Sequence, residues 1–172
     1  VEPYNSLGNG SAMRISAVPY FAKDLDVVKK LSKIVSEVTH NHPEGIKGAE
    51  AVAVAIWMAL HNYSKEDVLS EMEQNYYKLN FDYEELRQTY KFDETCPGSV
   101  PQSIFAFKIS NTYEDTIRTA ISMGGDADTM ACISGAIAGA YYGIPNELKQ
   151  QVQKFLPDEF KSILLKFENR LN

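Results

Sequence analysis

Apolar residues recur along this chain at the three- and four-residue steps of an amphipathic helix, and no segment alternates as a strand does. The pattern is clearest in the segments 24–38, 43–60, 64–76 and 113–123. The second of these is apolar on nearly every side, which predicts a central, buried helix. The sequence therefore predicts an all-α fold.

Local signals set the predicted helix boundaries. Pro43 suits a first helical turn, and Ser64 with the acidic residues after it resembles a capping pattern. Residues 96–99, Cys-Pro-Gly-Ser, indicate a turn, after which Ser99 precedes another helical segment. Two closing helices are predicted over 146–156 and 158–171.

The pattern also predicts how some segments pack. In the helix over 113–123, the residues expected to face inward are Ile117, Ala120 and Ile121. Gly135 and Gly139 lie on one face of the following helix, which would let a neighbouring backbone approach closely. The aromatic-rich segment 76–92 is predicted to be a connection whose rings pack together, because lysine and arginine do not cluster there as they would for base stacking.

The composition is that of one ordinary globular domain. The chain has 172 residues, of which 44% are hydrophobic and 23% are charged, and this length allows a continuous core. Its net charge of -6 argues against direct nucleic-acid binding, because phosphate recognition needs a basic face. We expect a single compact helical domain over residues 1–172 with about seven to nine helices.

The sequence shows neither an apolar run long enough to span a bilayer nor the pattern of a signal peptide at its start. Its two cysteines have no CxxC partner and no zinc-site spacing. We interpret Cys96 as a loop thiol and Cys132 as a small core residue. We therefore expect no membrane partner and a cytoplasmic location.

The stretch 124–129, Gly-Gly-Asp-Ala-Asp-Thr, gathers oxygen atoms at a predicted helix start. Asp126, Asp128 and Thr129 carry the carboxylate and hydroxyl oxygens that suit Mg²⁺, Mn²⁺ or Ca²⁺ rather than zinc. An EF-hand is excluded because Ala131 stands where that loop needs glycine. One aspartate is equally well explained as an N-cap. Spacing alone leaves metal binding and capping both open.

The N-terminal segment places Asn9 between Gly8 and Gly10. This arrangement either brings backbone N–H groups close to a ligand or makes a plain tight turn. Ser6 and Ser11 would add hydroxyl donors, and Arg14 a nearby cation.

His40 and His42 lie two residues apart, so both rings cannot share one helix face as a zinc pair would. A polar turn with one satisfied imidazole explains them without a ligand.

Taken together, these stretches resemble the ADP-ribosylglycohydrolase family. The resemblance rests on three separated motifs in the family's order, which are residues 8–14 (Gly-Asn-Gly-Ser-Ala-Met-Arg), 39–45 (Thr-His-Asn-His-Pro-Glu-Gly) and 124–129. It runs from near residue 4 to near residue 145. It implies a multi-helix domain of the family's type, with a ligand cleft formed by loops at helix starts.

The resemblance implies hydrolysis of the glycosidic bond between ADP-ribose and a modified acceptor, such as an arginine or a serine, with two Mg²⁺ or Mn²⁺ ions. Asp126, Asp128 and Thr129 would then be metal ligands. The residues it implies for binding ADP-ribose, alone or on a protein, are Ser6, Gly8, Asn9, Gly10, Met13 and His40.

The chain departs from the family in its N-terminal part. The family carries a Thr-Asp-Asp-Thr metal motif and an acidic residue that positions water, and neither occurs here; the catalytic residue is therefore unassigned. We expect a half-built site without the family's N-terminal helices, little hydrolase activity from these residues alone, and self-association or a complementing N-terminal segment that covers an apolar face. The alternative is a truncated or impaired relative that acts as an ADP-ribose-binding or structural helical module.

Overall fold

The computed structural model of the chain describes residues 2–171, which form helices and no β-strand. A 3-10 helix covers Ile15–Phe21. The α-helices of the described part are α1 (Gly10–Met13), α2 (Leu25–Glu37), α3 (Pro43–Leu60), α4 (Lys65–Asn75), α5 (Tyr83–Thr89), α6 (Cys96–Ile109), α7 (Tyr113–Ser122), α8 (Ala127–Tyr142), α9 (Asn146–Gln153) and α10 (Asp158–Leu171). The predicted all-α fold is confirmed. None of these helices has the length and hydropathy needed to cross a membrane.

Helix α3 lies at the centre of the fold. Every residue from 51 to 59 is buried, and α1, α2, α4, α6, α8 and the 3-10 helix pack around it. The indole N–H of Trp57 donates to the carbonyl of Ala22 at 2.9 Å, which joins α3 to the segment before α2. Because burying one Val or Ile side chain stabilises a fold by about 1.5–3 kcal/mol, the apolar run that predicted a central helix also builds the core.

Side-chain caps begin α3 and α4 where the sequence predicted helix starts. His42 accepts the N–H of Glu44 through Nδ1 at 3.1 Å before α3. Ser64 and Asp67 form a reciprocal capping box before α4. Each cap satisfies an N–H group that has no partner within its own helix.

Helix α6 begins earlier than the sequence predicted. Residues 96–99 form its first turn, and its N-cap is Thr95 rather than Ser99. The Thr95 hydroxyl accepts the N–H of Gly98 at 3.1 Å. Pro97 fits at this point because a first-turn N–H has no helical partner to lose. Ser99 instead donates its hydroxyl to the carbonyl of Thr95 at 2.7 Å.

The segment 76–92 is more than a connection, because α5 forms within it. Asp82 caps this helix by accepting the N–H of Glu85 at 2.8 Å. The rings around it pack as expected: Phe81 meets Phe105 edge-on, with centroids 5.5 Å apart.

The prediction that Ile121 faces inward was wrong, since its side chain is 53% exposed. Ala120 is buried as predicted and Ile117 is half-buried, and Thr116 and Thr119 complete the buried face of α7. Threonine hydroxyls can be buried here because they find partners: Thr116, for example, donates to the carbonyl of Thr112 at 2.8 Å.

The prediction for Gly135 and Gly139 also needs correction, because side chains rather than backbone approach them. A Cβ added at Gly135 would lie 2.5 Å from Cδ1 of Ile117, and one at Gly139 would lie 3.1 Å from Cγ1 of Ile144. The glycine pair therefore makes room for isoleucines from the flanking segments.

The two cysteines have the opposite environments from those predicted. Cys96 is buried, and Cys132 is exposed on α8. Burial raises the pKa of the Cys96 thiol to about 11. The reversal follows from α6, whose first turn carries Cys96 into the core instead of leaving it in a loop.

The two predicted closing helices are present as α9 and α10, and neither contains a buried residue. Phe167 of α10 meets the rings of Tyr20 and Phe21 edge-on, with centroids 5.5 and 5.4 Å away. Between α10, α8 and the 3-10 helix lies an open groove of about 620 Å³. Helix α10 therefore contacts the surface of the fold through Phe167 and contributes no buried residue to the core.

Replacing the cap of α6 by Thr95→Ala should lower the free energy of unfolding by about 1 kcal/mol. Thr89→Ala is the matched control: its hydroxyl donates to the carbonyl of Glu85 on the exposed surface of α5, so the change should stay within about 0.5 kcal/mol. Urea unfolding followed by the fluorescence of Trp57 measures both. Equal effects would show that Thr95 does not cap α6.

Candidate functional site

Four segments come together around the N-terminal one, which contacts each of the other three. They are residues 4–14, 39–45, 90–99 and 124–130. Backbone hydrogen bonds join the first to the third, from Asn9 N–H to the carbonyl of Glu94 at 2.7 Å and from Cys96 N–H to the carbonyl of Leu7 at 2.8 Å. The structure thus brings the three sequence motifs together, and it adds the segment 90–99, which sequence reasoning missed.

The side chain of Asn9 connects the first motif to the last. Its Nδ2 donates to Oδ2 of Asp126 at 2.7 Å and to Oγ of Ser99 at 3.0 Å. Asn9 and Asp126 are 7% and 9% exposed, and a hydrogen bond to a carboxylate is strong in such surroundings. A plain tight turn at Asn9 would not produce this bond, which links residues 117 positions apart.

Asp126 occupies the N-cap position of α8, but its side chain makes no capping hydrogen bond. Asp128 accepts the N–H of Thr129 at 3.0 Å. The pKa of Asp128 lies below its usual range because of a hydrogen bond with the Asp126 side chain and, after it, bonds from backbone N–H groups. Both carboxylates thus lie at the start of α8, where a divalent cation would offset the repulsion between them.

Tyr90 supports the turn that leads into α8. Gly124 and Gly125 have φ of +78° and +66°, values that side-chain-bearing residues rarely adopt. The ring of Tyr90 lies against Gly125, where an added Cβ would clash with it, and its hydroxyl donates to the carbonyl of Gly98 at 2.7 Å. Burial, with nearby carboxylates, raises the pKa of Tyr90 to about 12. Tyr90 is one of several aromatic residues in the segment 76–92, and nothing in the sequence marked it for this role.

Met13 lies over the first turn of α8. The Thr129 hydroxyl donates to Sδ of Met13 at 3.7 Å, and the Cys132 thiol donates to the carbonyl of Met13 at 3.6 Å. Because thioether sulfur is a weak acceptor, the oxygen of Thr129 stays available as a ligand.

His40 lies behind the first motif and is 7% exposed. Gly8 and Gly10 face its ring, and a Cβ added at either would lie 3.5 or 3.4 Å from Nε2. Its Nδ1 lies 2.7 Å from Oγ1 of Thr39. Burial, and then the positive charge of Arg14, lower the pKa of His40. The imidazole is therefore neutral at pH 7.

Ser6, just before the first motif, and Ser11 within it hold the local backbone. Ser6 accepts the N–H of Gly8 at 3.1 Å, which leaves its hydroxyl hydrogen free for a ligand. Ser11 is buried and donates to the carbonyl of Gly45 at 2.7 Å. Of the two hydroxyls expected near a ligand, that of Ser11 is thus taken up by the backbone, whereas that of Ser6 keeps its hydrogen.

The oxygen atoms of Asp126, Asp128 and Thr129 fit part of a site for a hard divalent cation. Within residues 2–171, no three His, Cys, Asp or Glu side chains lie close enough together to hold a metal ion. A six-coordinate ion bound at this turn would therefore take its other ligands from water, a substrate or another polypeptide segment.

Comparison with known proteins identifies the same family that the three motifs resemble. Residues 2–171 match the family model described as ADP-ribosylglycohydrolase. The chain belongs to this family. It is 30% identical to the ADP-ribosylhydrolase ARH3 of Gallus gallus, over 87% of the chain and 54% of that protein. It is 27% identical to the ADP-ribosylarginine hydrolase Tri1 of Pseudomonas putida, over 87% of the chain and 42% of that protein.

A solved structure described as an ADP-ribosylglycohydrolase-related protein complex has the same fold, with a TM-score of 0.65 and 24% sequence identity over 84% of this chain and 54% of the other. This family member thus spans about half the length of the curated relatives that it matches.

A double-mutant cycle tests the bond that joins the motifs. Asn9→Ala and Asp126→Ala should each destabilise the fold, and the double variant should lose about 1–2 kcal/mol less than the sum, because one bond is removed twice. The control cycle pairs Asn9→Ala with Asp158→Ala, whose side chain is 97% exposed, and should be additive within about 0.5 kcal/mol. Additivity of both cycles would exclude a stabilising Asn9–Asp126 bond.

Proposed function

We propose that this chain binds the ADP-ribose group of a modified acceptor, of the arginine or serine type, and contributes to hydrolysis of its glycosidic bond with divalent metal ions. The observation that supports this most is the bond from Asn9 to Asp126. It places the glycine-flanked loop of the first motif beside the carboxylates of the last.

In this proposal Gly8, Asn9 and Gly10 approach the pyrophosphate, with Ser6 and Met13 at the edges of the cleft and His40 behind it.

Asp126, Asp128 and Thr129 hold Mg²⁺ or Mn²⁺. A bound divalent ion at this turn would supply charge stabilisation for the leaving group and orient the ribose hydroxyls and a water. Asn9 keeps the Asp126 carboxylate in place by hydrogen bonding, which leaves its charge available to a cation.

The ligand set of the described residues supports a limit on the activity. Two carboxylates and one hydroxyl cannot complete two octahedral ions. We therefore expect weak release of ADP-ribose by these 172 residues, and full activity only with a complementing segment. The lack of a third acidic, histidine or cysteine ligand within residues 2–171 also favours the second candidate, an ADP-ribose-binding module without catalysis.

Calorimetric titration with ADP-ribose tests the proposal. We expect ADP-ribose to bind at least about tenfold more tightly in the presence of Mg²⁺. The ion would add charge-assisted contacts between the carboxylates and the ligand, and such contacts are stronger than neutral hydrogen bonds. Asp126→Asn/Asp128→Asn should abolish the Mg²⁺ effect, since amides keep the shape but remove both charges.

Asp158→Asn is the matched control, because it removes one exposed carboxylate at the start of α10. It should leave both the affinity and the Mg²⁺ effect unchanged. Equal binding with and without Mg²⁺ would favour the non-catalytic module, and no binding at all would contradict the proposed function.

Self-association stays a prediction, and exposed apolar side chains near the C-terminal end of the described chain offer it a surface. They include Phe155, between α9 and α10, and Phe160, Ile163 and Leu165 of α10, which are 52–85% exposed. We expect a dimeric mass in light scattering at micromolar concentration, and a monomeric mass for Ile163→Glu/Leu165→Glu, because the added charges oppose burial. A monomeric wild-type chain would contradict this prediction.

A further inference from the structure

Arg14, Thr39 and His40 form a connected cluster behind the first motif. Nη2 of Arg14 donates to Oγ1 of Thr39 at 2.6 Å. Oγ1 of Thr39 in turn lies 2.7 Å from Nδ1 of His40, and Nη2 of Arg14 lies 3.4 Å from the same nitrogen. The proposed function assigns no role to Arg14 or Thr39.

The chemistry of these groups favours one tautomer of the imidazole. A guanidinium group can only donate hydrogen bonds, so Thr39 Oγ1 accepts from Arg14 and its own hydrogen is free to point at Nδ1. The positive charge of Arg14 also opposes a hydrogen on Nδ1. Both contacts therefore favour a ring hydrogen on Nε2.

The Nε2 edge of the ring faces the glycines of the first motif. The side-chain hydrogen bonds of His40 among residues 2–171 involve Nδ1 and leave Nε2 without a partner, and Gly8 and Gly10 lie on the Nε2 side of the ring. A Cβ at either position would be in van der Waals contact with this nitrogen, and a longer side chain would cover it. The glycines therefore keep a donor uncovered at the point where the proposed function places the nucleotide.

We propose that Arg14 and Thr39 are positioning residues that hold His40 as the neutral Nε2–H tautomer, so that its imidazole donates to an acceptor oxygen of ADP-ribose between Gly8 and Gly10. The identity of the ligand rests on the proposed function. The tautomer and orientation of His40 rest only on the contacts with Arg14 and Thr39.

The charged and titratable groups that face His40 within the described residues are Arg14, at Nδ1, and the Tyr4 ring, whose centroid lies 6.3 Å from that of His40. Gly8, Gly10 and Thr39 are uncharged. Removing Arg14 should therefore raise the pKa of His40 toward the usual value of about 6.5, while burial still lowers it.

Nitrogen NMR of the histidine side chains tests the positioning role of Arg14 and Thr39 without any ligand. The wild-type protein should show His40 as the Nε2–H tautomer, with the His40 signal identified by its loss in His40→Gln. Arg14→Met/Thr39→Val should show a mixture of both tautomers and a higher His40 pKa. Thr39→Ser, which keeps the hydroxyl, and Arg118→Met, which removes an exposed arginine paired with Glu114, should match the wild type.

Titration with ADP-ribose across pH 6.5–8 then tests the donor role. The wild-type affinity should be nearly constant. The double variant should bind about 2-fold more weakly at pH 8, because only its Nε2–H fraction can donate, and should recover as the pH falls, because protonated imidazole always carries a hydrogen on Nε2. The loss of a purely structural contact would not recover at lower pH.

An Nδ1–H tautomer in the wild-type protein, or a double variant with unchanged tautomer and His40 pKa, would overturn the inference. Failure of the wild-type protein to bind ADP-ribose would instead overturn the proposed function and the ligand that it assigns to His40. The NMR result separates these two failures.

Discussion

The hydrogen bond from Asn9 to Asp126 determines how the site is built. A buried carboxylate is unfavourable unless donors satisfy it, and here the donor comes from the opposite end of the sequence. The bond is compatible only with a chain in which the starts of α1, α6 and α8 meet. Because asparagine donates without adding charge, and no ion pair of Asp126 or Asp128 occurs among residues 2–171, the negative charge at this turn is left without a protein counter-ion.

Small residues allow the helices around α3 to approach one another closely enough for that bond. Gly48 of α3 lies against the buried thiol of Cys96, and an added Cβ there would clash with it. Gly45 lies against the backbone of Ser6, where a Cβ would be 2.6 Å from the carbonyl oxygen. Thus the same helix that supplies the apolar core also supplies the gaps into which the first and third segments of the site fit.

The sequence predicted those features that depend on local chemistry or on strong periodicity. Helix α3 was predicted because its sequence is apolar on nearly every side. Helix α4 was predicted because Ser64 and Asp67, three residues apart, form a cap at its start. The start of α6 was missed because Pro97 and Gly98 usually indicate a turn, whereas here Thr95, two residues before Pro97, caps the helix. Ile121 was wrongly predicted to face inward because the hydrophobic pattern treats threonine as polar, whereas the threonines of α7 are buried.

For the site, motif resemblance selected Asn9, His40 and the turn at Asp126, and the structure brings these residues together. No sequence signal marked Tyr90, since its effect depends on a ring contact with Gly125 that exists only in three dimensions. The cysteines were misassigned for the same reason, because burial depends on neighbours far along the chain. Metal coordination by Asp126, Asp128 and Thr129 stays a prediction.

The exposure of Cys132 has a practical consequence. Of the two thiols in the chain, Cys96 is enclosed and Cys132 is open to solvent. A maleimide fluorophore or nitroxide spin label should therefore attach at one position without any engineered cysteine. Although the residue is exposed, its sulfur lies against the carbonyl of Met13. This partial desolvation, and then the nearby charge of Asp128, raise the pKa of the Cys132 thiol, so labelling will require mildly alkaline buffer. Since Cys132 lies one helical turn from Asp128, a paramagnetic ion such as Mn²⁺ bound at this turn would broaden or quench the signal of the attached probe.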